Sequence, residues 1–500
     1  MTSTSRRFSP MTVIAVLCFG SFSGALMQCL VIPIQLDLPE LLGTDPGSAS
    51  WAVTATLLAA AVTMPVTGRL ADMYGKKRIL VASAVVLVAG SAVAALASTL
   101  LPFLVGRVLQ GMAMGYIPVA ISMVREVAPP QKATGAVAAV SATMGVGGAL
   151  GLPLAAWIAE DVSWHGLFWL SAVLAAVILA LTIIVVPRVH DSHPARIDVI
   201  GIVGLAIGLS SALIGVSKGS SWGWTAPETL ATIIGGVAVL LAWGAHQLRH
   251  HDPLVDLRTT ASRPVLFTNL AALLIGFGMM AQSIVVPQLL EMPTETGFGL
   301  GQSILAAGLW MAPGGLMMMF FAPVSSKLIT SIGARLTLTI GAVVISGGYV
   351  VALGLMDAPW QLMVATLIAS AGVGIGYAAM PTLILDNVPA AEAGSGVGVN
   401  SLMRSVGTTI AGAVMAAIMT SRTVEFAGVA IPSRSAFQIC FMVGAAATLA
   451  GALLALLIPR RSHEVAQVYV APRDEDAQNR DGDAVSGELP EGDLVPAPSS

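Results

Sequence analysis

The sequence predicts an all-α membrane protein with fourteen transmembrane helices, in which two pseudo-symmetric six-helix bundles flank a central inserted helix pair. Three observations predict this fold: the composition, the number of apolar runs and an internal repeat. Of the 500 residues, 56% are hydrophobic and only 10% are charged, a balance typical of membrane proteins. The net charge of -3, without a basic face interleaved with aromatic residues, excludes nucleic acid as a partner.

Apolar runs recur along almost the whole chain. A helix needs about twenty predominantly apolar residues to cross the hydrocarbon core of a bilayer. The predicted spans lie near residues 11–33, 51–70, 79–98, 103–124, 133–158, 164–186, 198–217, 227–246, 264–287, 302–325, 335–355, 361–385, 396–420 and 436–458.

The distribution of Lys and Arg predicts the orientation, because basic connections stay on the cytoplasmic side. The other connections carry mostly acids, with Lys218, Arg422 and Arg434 as their only basic residues. We therefore expect both termini in the cytoplasm and the protein in the plasma membrane. The basic connections contain Lys76, Lys77, Arg78, Arg125, Lys132, Arg188, Arg196, Arg249, Arg258, Arg263, Lys327, Arg335, Arg460 and Arg461.

The stretch SRRFSP before the first span raises the alternative of a twin-arginine export signal. The run at 11–33 is too long for the apolar region of a cleaved signal and lacks a small-residue cleavage site. We expect Arg6 and Arg7 to hold the start of the first span in the cytoplasm instead.

The same pattern of residues occurs twice in the chain. Four pairings keep their order, which predicts two six-helix bundles related by a pseudo-two-fold axis along the membrane normal. The matched segments are 24–37 with 278–291, 65–78 with 323–336, 111–116 with 372–377, and Gly135 and Gly151 with Gly396 and Gly412.

The repeat and the apolar runs divide the chain into four regions. We predict an N-terminal six-helix bundle at 1–190, an inserted helix pair with its flanking loops at 191–260, and a C-terminal six-helix bundle at 261–460. Residues 461–500 are acidic and lack the apolar residues needed for a core, which predicts a disordered cytoplasmic tail.

Three motifs resemble those of a known family. GRLADMYGKKR at 68–78 resembles the loop between the second and third helices of the major facilitator superfamily, and RVLQGMAMG at 107–115 resembles its fourth-helix motif. GGALGLPLAAW at 147–157 resembles the fifth-helix motif of its antiporters. Fourteen spans are typical of its drug:proton antiporter branch. The resemblance covers nearly the whole chain apart from the tail.

The fifth-helix motif departs from the family pattern. Pro153 is displaced by one position, and Ala155 and Ala156 replace the usual closing Gly pair. Gly147 and Gly151 still allow close helix contact. The motif is therefore weaker evidence for export than a full match.

Asp72 is the distinctive residue of the first motif. Gly68 and Gly75 suit a place where backbones cross closely. The resemblance implies that this loop latches the two bundles together on the cytoplasmic side, with Asp72 reaching the start of the helix near Gly396, whose N-terminus favours an anion. The equivalent of Asp72 in the second half is Thr330, so such a latch is asymmetric.

A cluster of bases surrounds Asp72, and we expect its carboxylate to be ionised and paired with them. The alternative is that the bases only enforce topology, which explains Lys76 and Lys77 but leaves Asp72 and the glycine spacing unexplained. The bases are Arg69, Lys76, Lys77 and Arg78.

Two arginines lie inside predicted spans, where charge is costly and usually functional. The resemblance implies a role in proton coupling for Arg107, with Gln110 one turn away; the alternative is that Arg107 extends to the outer surface. Arg404 follows Asn400 by four residues, so both project from one helix face. For Arg404 two alternatives are open. It has a role in an inner gate or cavity, or its side chain extends toward the cytoplasm.

Gln28 and Gln282 occupy matched positions, each five residues before a proline expected to kink its helix. Amides at symmetric mid-membrane sites suit a central cavity for amphipathic molecules. Hydrogen bonding between helices is the alternative.

No Asp or Glu lies deep in a predicted span, although relatives in this branch commonly carry an Asp near the position of Gly24. Asp37 and Glu291, which the repeat matches, are the nearest candidates for proton binding. They are equally consistent with ordinary acids of outward-facing loops.

The sequence therefore predicts a secondary active transporter that exports hydrophobic or amphipathic small molecules in exchange for protons. Uptake of a nutrient or siderophore is one alternative, and a non-transporting membrane sensor is another. We expect no enzymatic activity, because the histidines do not converge with acids or serines on a catalytic set. Cys18, Cys29 and Cys440 lack metal-ligand spacing, and we expect no metal and no cofactor. We expect a monomer, and the excess of Arg over Lys indicates a GC-rich bacterial genome.

Overall fold

The computed structural model describes residues 8–32, 34–35, 37–188, 195–426 and 428–459. Within these residues fourteen helical segments are long and apolar enough to cross a membrane, which confirms the predicted fold class. Contacts join these spans into one compact unit that ends at Pro459. The expected tail at 461–500 lies outside the described residues, as do Arg6 and Arg7.

Six spans form the N-terminal half, and α6 and α7 together make one of them. The helices are α1 (Pro10–Cys29), α2 (Leu38–Leu41), α3 (Pro46–Ala49), α4 (Trp51–Tyr74), α5 (Lys76–Leu96), α6 (Leu100–Ala113), α7 (Tyr116–Val127), α8 (Ala133–Asp161) and α9 (Trp164–Val185).

Two further spans form the inserted pair, and six more form the C-terminal half. The inserted pair and its following loop contain α10 (Val199–Trp222), α11 (Pro227–Arg249) and α12 (Leu257–Thr260). The C-terminal half contains α13 (Arg263–Glu291), α14 (Ile304–Ile332), α15 (Ala334–Gly354), α16 (Pro359–Gly376), α17 (Ala379–Asn387), α18 (Ala393–Ser421), β1 (Thr423–Phe426), β2 (Val429–Pro432) and α19 (Arg434–Leu456).

Alternate connections between spans lie at the same end of the bundle. We call one end the basic end, because the connections α4–α5, α7–α8, α9–α10, α11–α13, α14–α15 and α17–α18 and the helix termini beside them carry most of the Lys and Arg. The opposite end is called the acidic end. The start of α1 belongs to the basic end, since Val13 and Leu17 pack in one core cluster with Val127 and Val185.

The fourth and twelfth spans are each broken, although the sequence analysis expected continuous helices. α6 ends before Met114, and α16 ends before Tyr377. Pro118 and Pro381 have no N–H to bond the carbonyls four residues earlier, which are those of Met114 and Tyr377. Both breaks lie within the matched motifs GMAMGY and GVGIGY, so the two halves share this irregularity.

Glycines end α4 and α14 at equivalent places. Gly75 has a φ of 94° and Gly333 a φ of 88°, a conformation that other residues rarely adopt. The predicted spans stopped earlier, at residues 70 and 325, because polar residues follow. The helices continue to Tyr74 and Ile332 because a polar residue does not end a helix.

The first helix is shorter than its predicted span. α1 ends at Cys29 rather than near residue 33, and the chain continues in turns such as that closed by Ile32 N–H and the Cys29 carbonyl at 3.1 Å. Pro33, four residues after Cys29, has no N–H to extend the helix.

A short hairpin between α18 and α19 is an element that the all-helical prediction lacked. β1 and β2 pair antiparallel, with Thr423 opposite Pro432 and Phe426 opposite Val429. The hairpin lies at the acidic end, and Gly428 in its turn has a φ of 79°, as tight hairpin turns require.

The inserted pair covers the seam between the two halves. α10 packs against one helix of each half, α4 and α18, through a shared apolar cluster. The cluster contains Leu58 and Ala61 of α4, Leu205, Leu209 and Leu213 of α10, Leu254 and Val255 of the following loop, and Val399 and Leu402 of α18.

Candidate functional site

Asp72 lies at the basic end of α4 and binds the start of α18 in the other half. Its Oδ1 accepts a hydrogen bond from Gly394 N–H at 2.9 Å, and its Oδ2 accepts one from Ser395 N–H at 2.8 Å. These are among the first N–H groups of α18, which have no acceptor within their own helix, and the helix dipole favours an anion there. Asp72 is only 2% exposed, so its carboxylate is fully enclosed by this contact.

Glycines let α4 and α18 approach closely enough for this contact. A Cβ on Gly68 would lie 2.2 Å from the carbonyl oxygen of Gly394, and a Cβ on Gly398 would lie 2.5 Å from that of Met64. Such distances are far below van der Waals contact, so only glycine fits. We call the contact of Asp72 and Gly68 with Gly394 and Ser395 the latch.

The bases of the first motif bind other partners within the N-terminal half. Lys76 forms an ion pair with Glu126 at the end of α7. Lys77 Nζ donates a hydrogen bond to the Ile183 carbonyl at 2.8 Å. The hydrogen bonds to Asp72 come from backbone N–H groups of α18, while the positive charges of Lys76 and Arg69 act on its carboxylate electrostatically. Arg69 is half-buried, and Arg78 is exposed.

A second link joins the halves at the basic end. Arg125 at the end of α7 and Asp386 at the end of α17 form an ion pair at 2.7 Å. Each follows its motif tyrosine, Tyr116 or Tyr377, by nine residues, so the two side chains occupy equivalent positions of the repeat. Asp386 was not predicted from the sequence, because its partner Arg125 lies in the other half of the chain; a comparison of the charges at matched helix ends would have found it.

A cavity of about 830 Å³ opens beside this ion pair. Its walls come from the ends of α7, α14 and α17 and from the start of α8, so both halves contribute. Its polar lining comes from Arg125, Glu126, Thr134, Thr330, Thr382 and Asp386.

The links between the halves are confined to one part of the bundle. Among the described residues, every hydrogen bond and ion pair that joins α1–α9 to α13–α19 lies between the basic end and the middle of the spans. The contact of the Ser405 hydroxyl with Met64 Sδ at 3.7 Å is one of those in the middle of the spans. The halves are thus fastened at the basic end.

Arg107 is buried inside the N-terminal half and does not reach the surface. It is 2% exposed; its Nε donates to the Ala52 carbonyl at 3.1 Å, and its Nη1 donates to Gln110 Oε1 at 2.7 Å. Gln110 Nε2 in turn donates to Ser91 Oγ at 3.0 Å. The alternative of an extended, surface-reaching Arg107 is therefore wrong, and this network ties α6 to α4 and α5.

Arg404 lies in the interior, where the C-terminal half meets α8. It is 8% exposed, and its guanidinium carbon stacks 4.6 Å from the centre of the Tyr377 ring. The Tyr377 hydroxyl is 3.6 Å from Met144 Sδ in the N-terminal half. One turn before Arg404, Asn400 Nδ2 donates to Asn269 Oδ1 at 3.0 Å. Extension of Arg404 toward the basic end is therefore wrong.

The two matched glutamines differ in their surroundings. Gln28 is exposed and is the last residue but one of α1, because the helix stops four residues before its predicted end. Its place in a central cavity stays a prediction. Gln282 is half-buried and lies inside α13, which continues through Pro287. Pro33 lies outside the described residues.

The two candidate proton acceptors are exposed residues near the acidic end. Asp37 precedes α2, and Glu291 is the last residue of α13. Both side chains are exposed. The hydrogen bonds of the buried Arg107 and Gln110 side chains go to Ala52, Ser91 and each other, and not to either acid.

The small residues of the fifth-helix motif pack α8 against α1. A Cβ on Gly147 would lie 2.3 Å from the Phe22 carbonyl oxygen, and one on Gly151 would lie 3.0 Å from that of Leu26. Pro153 lies within α8, which remains one continuous helix from Ala133 to Asp161.

Known proteins share both the sequence pattern and the fold. The multidrug resistance protein B homolog of Mycobacterium tuberculosis (strain ATCC 25618 / H37Rv) is 26% identical, over 76% of this chain and 70% of its own. The lincomycin resistance protein LmrB of Bacillus subtilis (strain 168) is 25% identical, over 68% and 71%.

The solved structure of the proton:xylose symporter XylE superposes with a TM-score of 0.61 at 15% identity, over 90% of this chain and 96% of that one. Residues 16–412 match the family model of the Major Facilitator Superfamily. The chain therefore belongs to the major facilitator superfamily, whose members are membrane transporters.

Proposed function

We propose that this protein is a proton-coupled antiporter that exports small hydrophobic or amphipathic compounds by alternating access. In this proposal it acts as a monomer in a bacterial plasma membrane, with the basic end and both termini in the cytoplasm. The observation that carries the proposal is the latch, in which a buried carboxylate of one half binds free N–H groups of the other.

The latch has the strength expected of a reversible gate. A hydrogen bond to a charged group contributes about 1.5–3 kcal/mol, and a half-exposed ion pair such as Arg125–Asp386 contributes about 1 kcal/mol or less. Together these contacts stabilise the closed basic end by a few kcal/mol. A substrate that binds the open form more tightly by a similar free energy can therefore open it.

The arrangement fits an outward-facing carrier, because the links between the halves lie at the proposed cytoplasmic end. Opening that end requires Asp72 to leave Gly394 and Ser395. Export is supported by the names of the two bacterial relatives, a multidrug resistance protein homolog and a lincomycin resistance protein. The positive-inside distribution of charge supports the orientation.

The first prediction tests the latch. Asp72→Asn replaces one acceptor oxygen with an amide that faces an N–H donor, and it removes the charge that the helix N-terminus favours. We expect transport to fall at least about tenfold while the amount of protein in the membrane is unchanged. The measurement is the efflux of a fluorescent drug from cells that express each variant. It is made with and without a protonophore.

The matched control is Thr330→Asn, which places the same residue at the repeat-equivalent position. Thr330 is exposed and its hydroxyl bonds only carbonyls of its own helix, so this variant should transport normally. Normal transport by Asp72→Asn would reject the latch. Efflux that persists unchanged with the protonophore would reject proton coupling.

A further inference from the structure

We propose that the transported compounds carry a negative charge and that Arg404 binds it. This inference rests on the proposed transport function and names the class of substrate: amphipathic anions with a carboxylate or sulfonate group. Three features of the described residues lead to it: the burial of Arg404, the position of the acids in the spans, and an unsatisfied amide nearby.

Arg404 is a buried cation at the centre of the molecule. It lies in the interior of α18 and is 8% exposed, and its guanidinium carbon stacks 4.6 Å from the centre of the Tyr377 ring. Tyr377 marks the break between α16 and α17 and contacts Met144 of α8. The guanidinium therefore lies beside the surface along which the two halves meet.

The described residues supply no negative charge for Arg404. None of the four ion pairs in this part of the chain includes it. Every Asp and Glu in the described helices lies within two residues of a helix end, as Asp72, Glu126 and Asp386 do. Moving an ion into a protein interior costs several kcal/mol unless a counter-charge is present. A ligand that brings a counter-charge recovers part of that cost.

The polar groups beside Arg404 add hydrogen-bond donors. Asn400 precedes it by one turn and uses its amide N–H to bond Asn269 Oδ1. Asn269 is 2% exposed, and its own Nδ2 has no hydrogen-bond partner. A buried, unpaired donor is costly, and an anionic oxygen is the acceptor that both this amide and the guanidinium require.

The other charged residue deep within the spans reinforces this preference. Arg107 is 2% exposed and bonds neutral acceptors, the Ala52 carbonyl and Gln110. Because the acids of the described helices lie near helix ends, these two buried arginines make the potential in the middle of the bundle positive, which attracts anions and repels cations. Apolar neighbours such as Met144 suit the hydrophobic part of the ligand.

Binding to the purified full-length protein tests this inference separately from transport. Equilibrium dialysis would compare 2-naphthoate with the size-matched cation 2-naphthyltrimethylammonium. We expect naphthoate to bind at least tenfold more tightly than the cation. Arg404→Gln should weaken naphthoate binding at least tenfold, and Arg404→Lys should recover part of the loss because it keeps the charge.

Two more variants complete the design. Asn400→Asp puts a carboxylate one turn from Arg404 on the same helix face and should also weaken naphthoate binding by neutralising the guanidinium. Arg422→Gln is the control: it makes the same substitution at an exposed residue just after the end of α18. It should leave naphthoate binding unchanged. Size-exclusion chromatography and circular dichroism would check that each variant is folded.

The inference is overturned if the wild-type protein binds the cation as tightly as the anion, if it binds neither, or if folded Arg404→Gln binds naphthoate normally. Efflux of a cationic drug without naphthoate binding would leave the proposed export function standing and remove the anion site. Naphthoate binding without transport of any probe would support the anion site and reject the proposed export function.

Discussion

Gly68 and Gly394 lack side chains because the backbones of α4 and α18 occupy the space that side chains would fill. A Cβ on Gly394 would lie 2.6 Å from the Gly68 carbonyl oxygen and 2.8 Å from Asp72 Oδ1. Both groups belong to the latch, so a methyl group here would separate the atoms that close the basic end. The contact joins the two halves and is not part of the core of either, so its loss should affect the gate more than the fold.

The second prediction concerns Gly68→Ala. The methyl group should push the helices apart at a cost of about 1–3 kcal/mol, which lowers the population of the closed form about fivefold or more. We expect reduced transport with a near-normal melting temperature. Gly235→Ala is the control, because a Cβ there has no atom within 4 Å and should raise helix propensity only. Full activity of Gly68→Ala would contradict the close approach of α4 and α18.

Asp198 holds the inserted helix pair together at the level of whole elements. This residue precedes α10, is 5% exposed and accepts hydrogen bonds from four donors on α10, α11 and the loop after α11. The donors are Gly201 N–H at 2.7 Å, His246 Nε2 at 3.1 Å, Gln247 Nε2 at 2.8 Å and Leu254 N–H at 3.4 Å. Leu254 also packs in the seam cluster, so Asp198 positions the loop beside the latch.

The third prediction follows from the pKa of Asp198. Burial raises this pKa, but the hydrogen bonds from Gly201, His246, Gln247 and Leu254 outweigh burial and hold the pKa below its ordinary value. The stabilisation is therefore complete above the unfolded pKa, about 3.9, and is lost as pH falls through the lower folded pKa. Asp198→Asn should lower the melting temperature at pH 7, and the difference from wild type should shrink in acid.

Asp256→Asn is the matched control for that measurement. Asp256 caps only the four-residue α12, so its loss should have a smaller effect at neutral pH. Equal melting temperatures of Asp198→Asn and wild type at pH 7 would show that the inserted pair does not depend on this carboxylate.

At the scale of the whole molecule, a pair of opposite charges links equivalent positions of the two halves. Arg125 and Asp386 lie at the ends of α7 and α17 and form an ion pair between the two halves. The side chains are 39% and 30% exposed, so the pair is a weak contribution to closure beside the latch. Its position allows a test of closure that leaves each half intact.

The fourth prediction uses a charge swap across the halves. Arg125→Asp places a like charge opposite Asp386, so the basic end should open. A cysteine introduced at Thr134 in the cavity wall should then be labelled more strongly. Asp386→Arg added to Arg125→Asp should restore both closure and transport. The labelling would be measured with a maleimide after replacement of Cys18, Cys29 and Cys440.

Arg434→Asp provides the control, since it breaks an exposed ion pair with Asp357 inside the C-terminal half. It should leave Thr134 labelling unchanged. If the double swap labels as strongly as Arg125→Asp alone, the ion pair does not contribute to closure.

The matched segments also show where reasoning from residues falls short. Pro118 and Pro381 break two spans that a count of apolar residues treats as continuous, because hydropathy carries no information on missing backbone donors. Asp386 was overlooked, because a lone acid near a helix end has no local partner. The sequence left open whether the Arg107 side chain reaches the surface or stays in the interior. Only the packing of α4 and α5 around it excludes the surface.

The sequence by itself determined the number of spans, the basic and acidic ends, the repeat and the presence of Asp72 in a glycine-bearing loop, because these depend on composition and on short-range spacing. The family resemblance implied that Asp72 reaches the start of α18, and the tertiary structure decided which groups meet: Asp72 with the N–H groups of Gly394 and Ser395, and Arg404 with Tyr377. Such contacts join residues far apart in the chain. Their geometry follows from how the helices of two bundles pack, which no local pattern specifies.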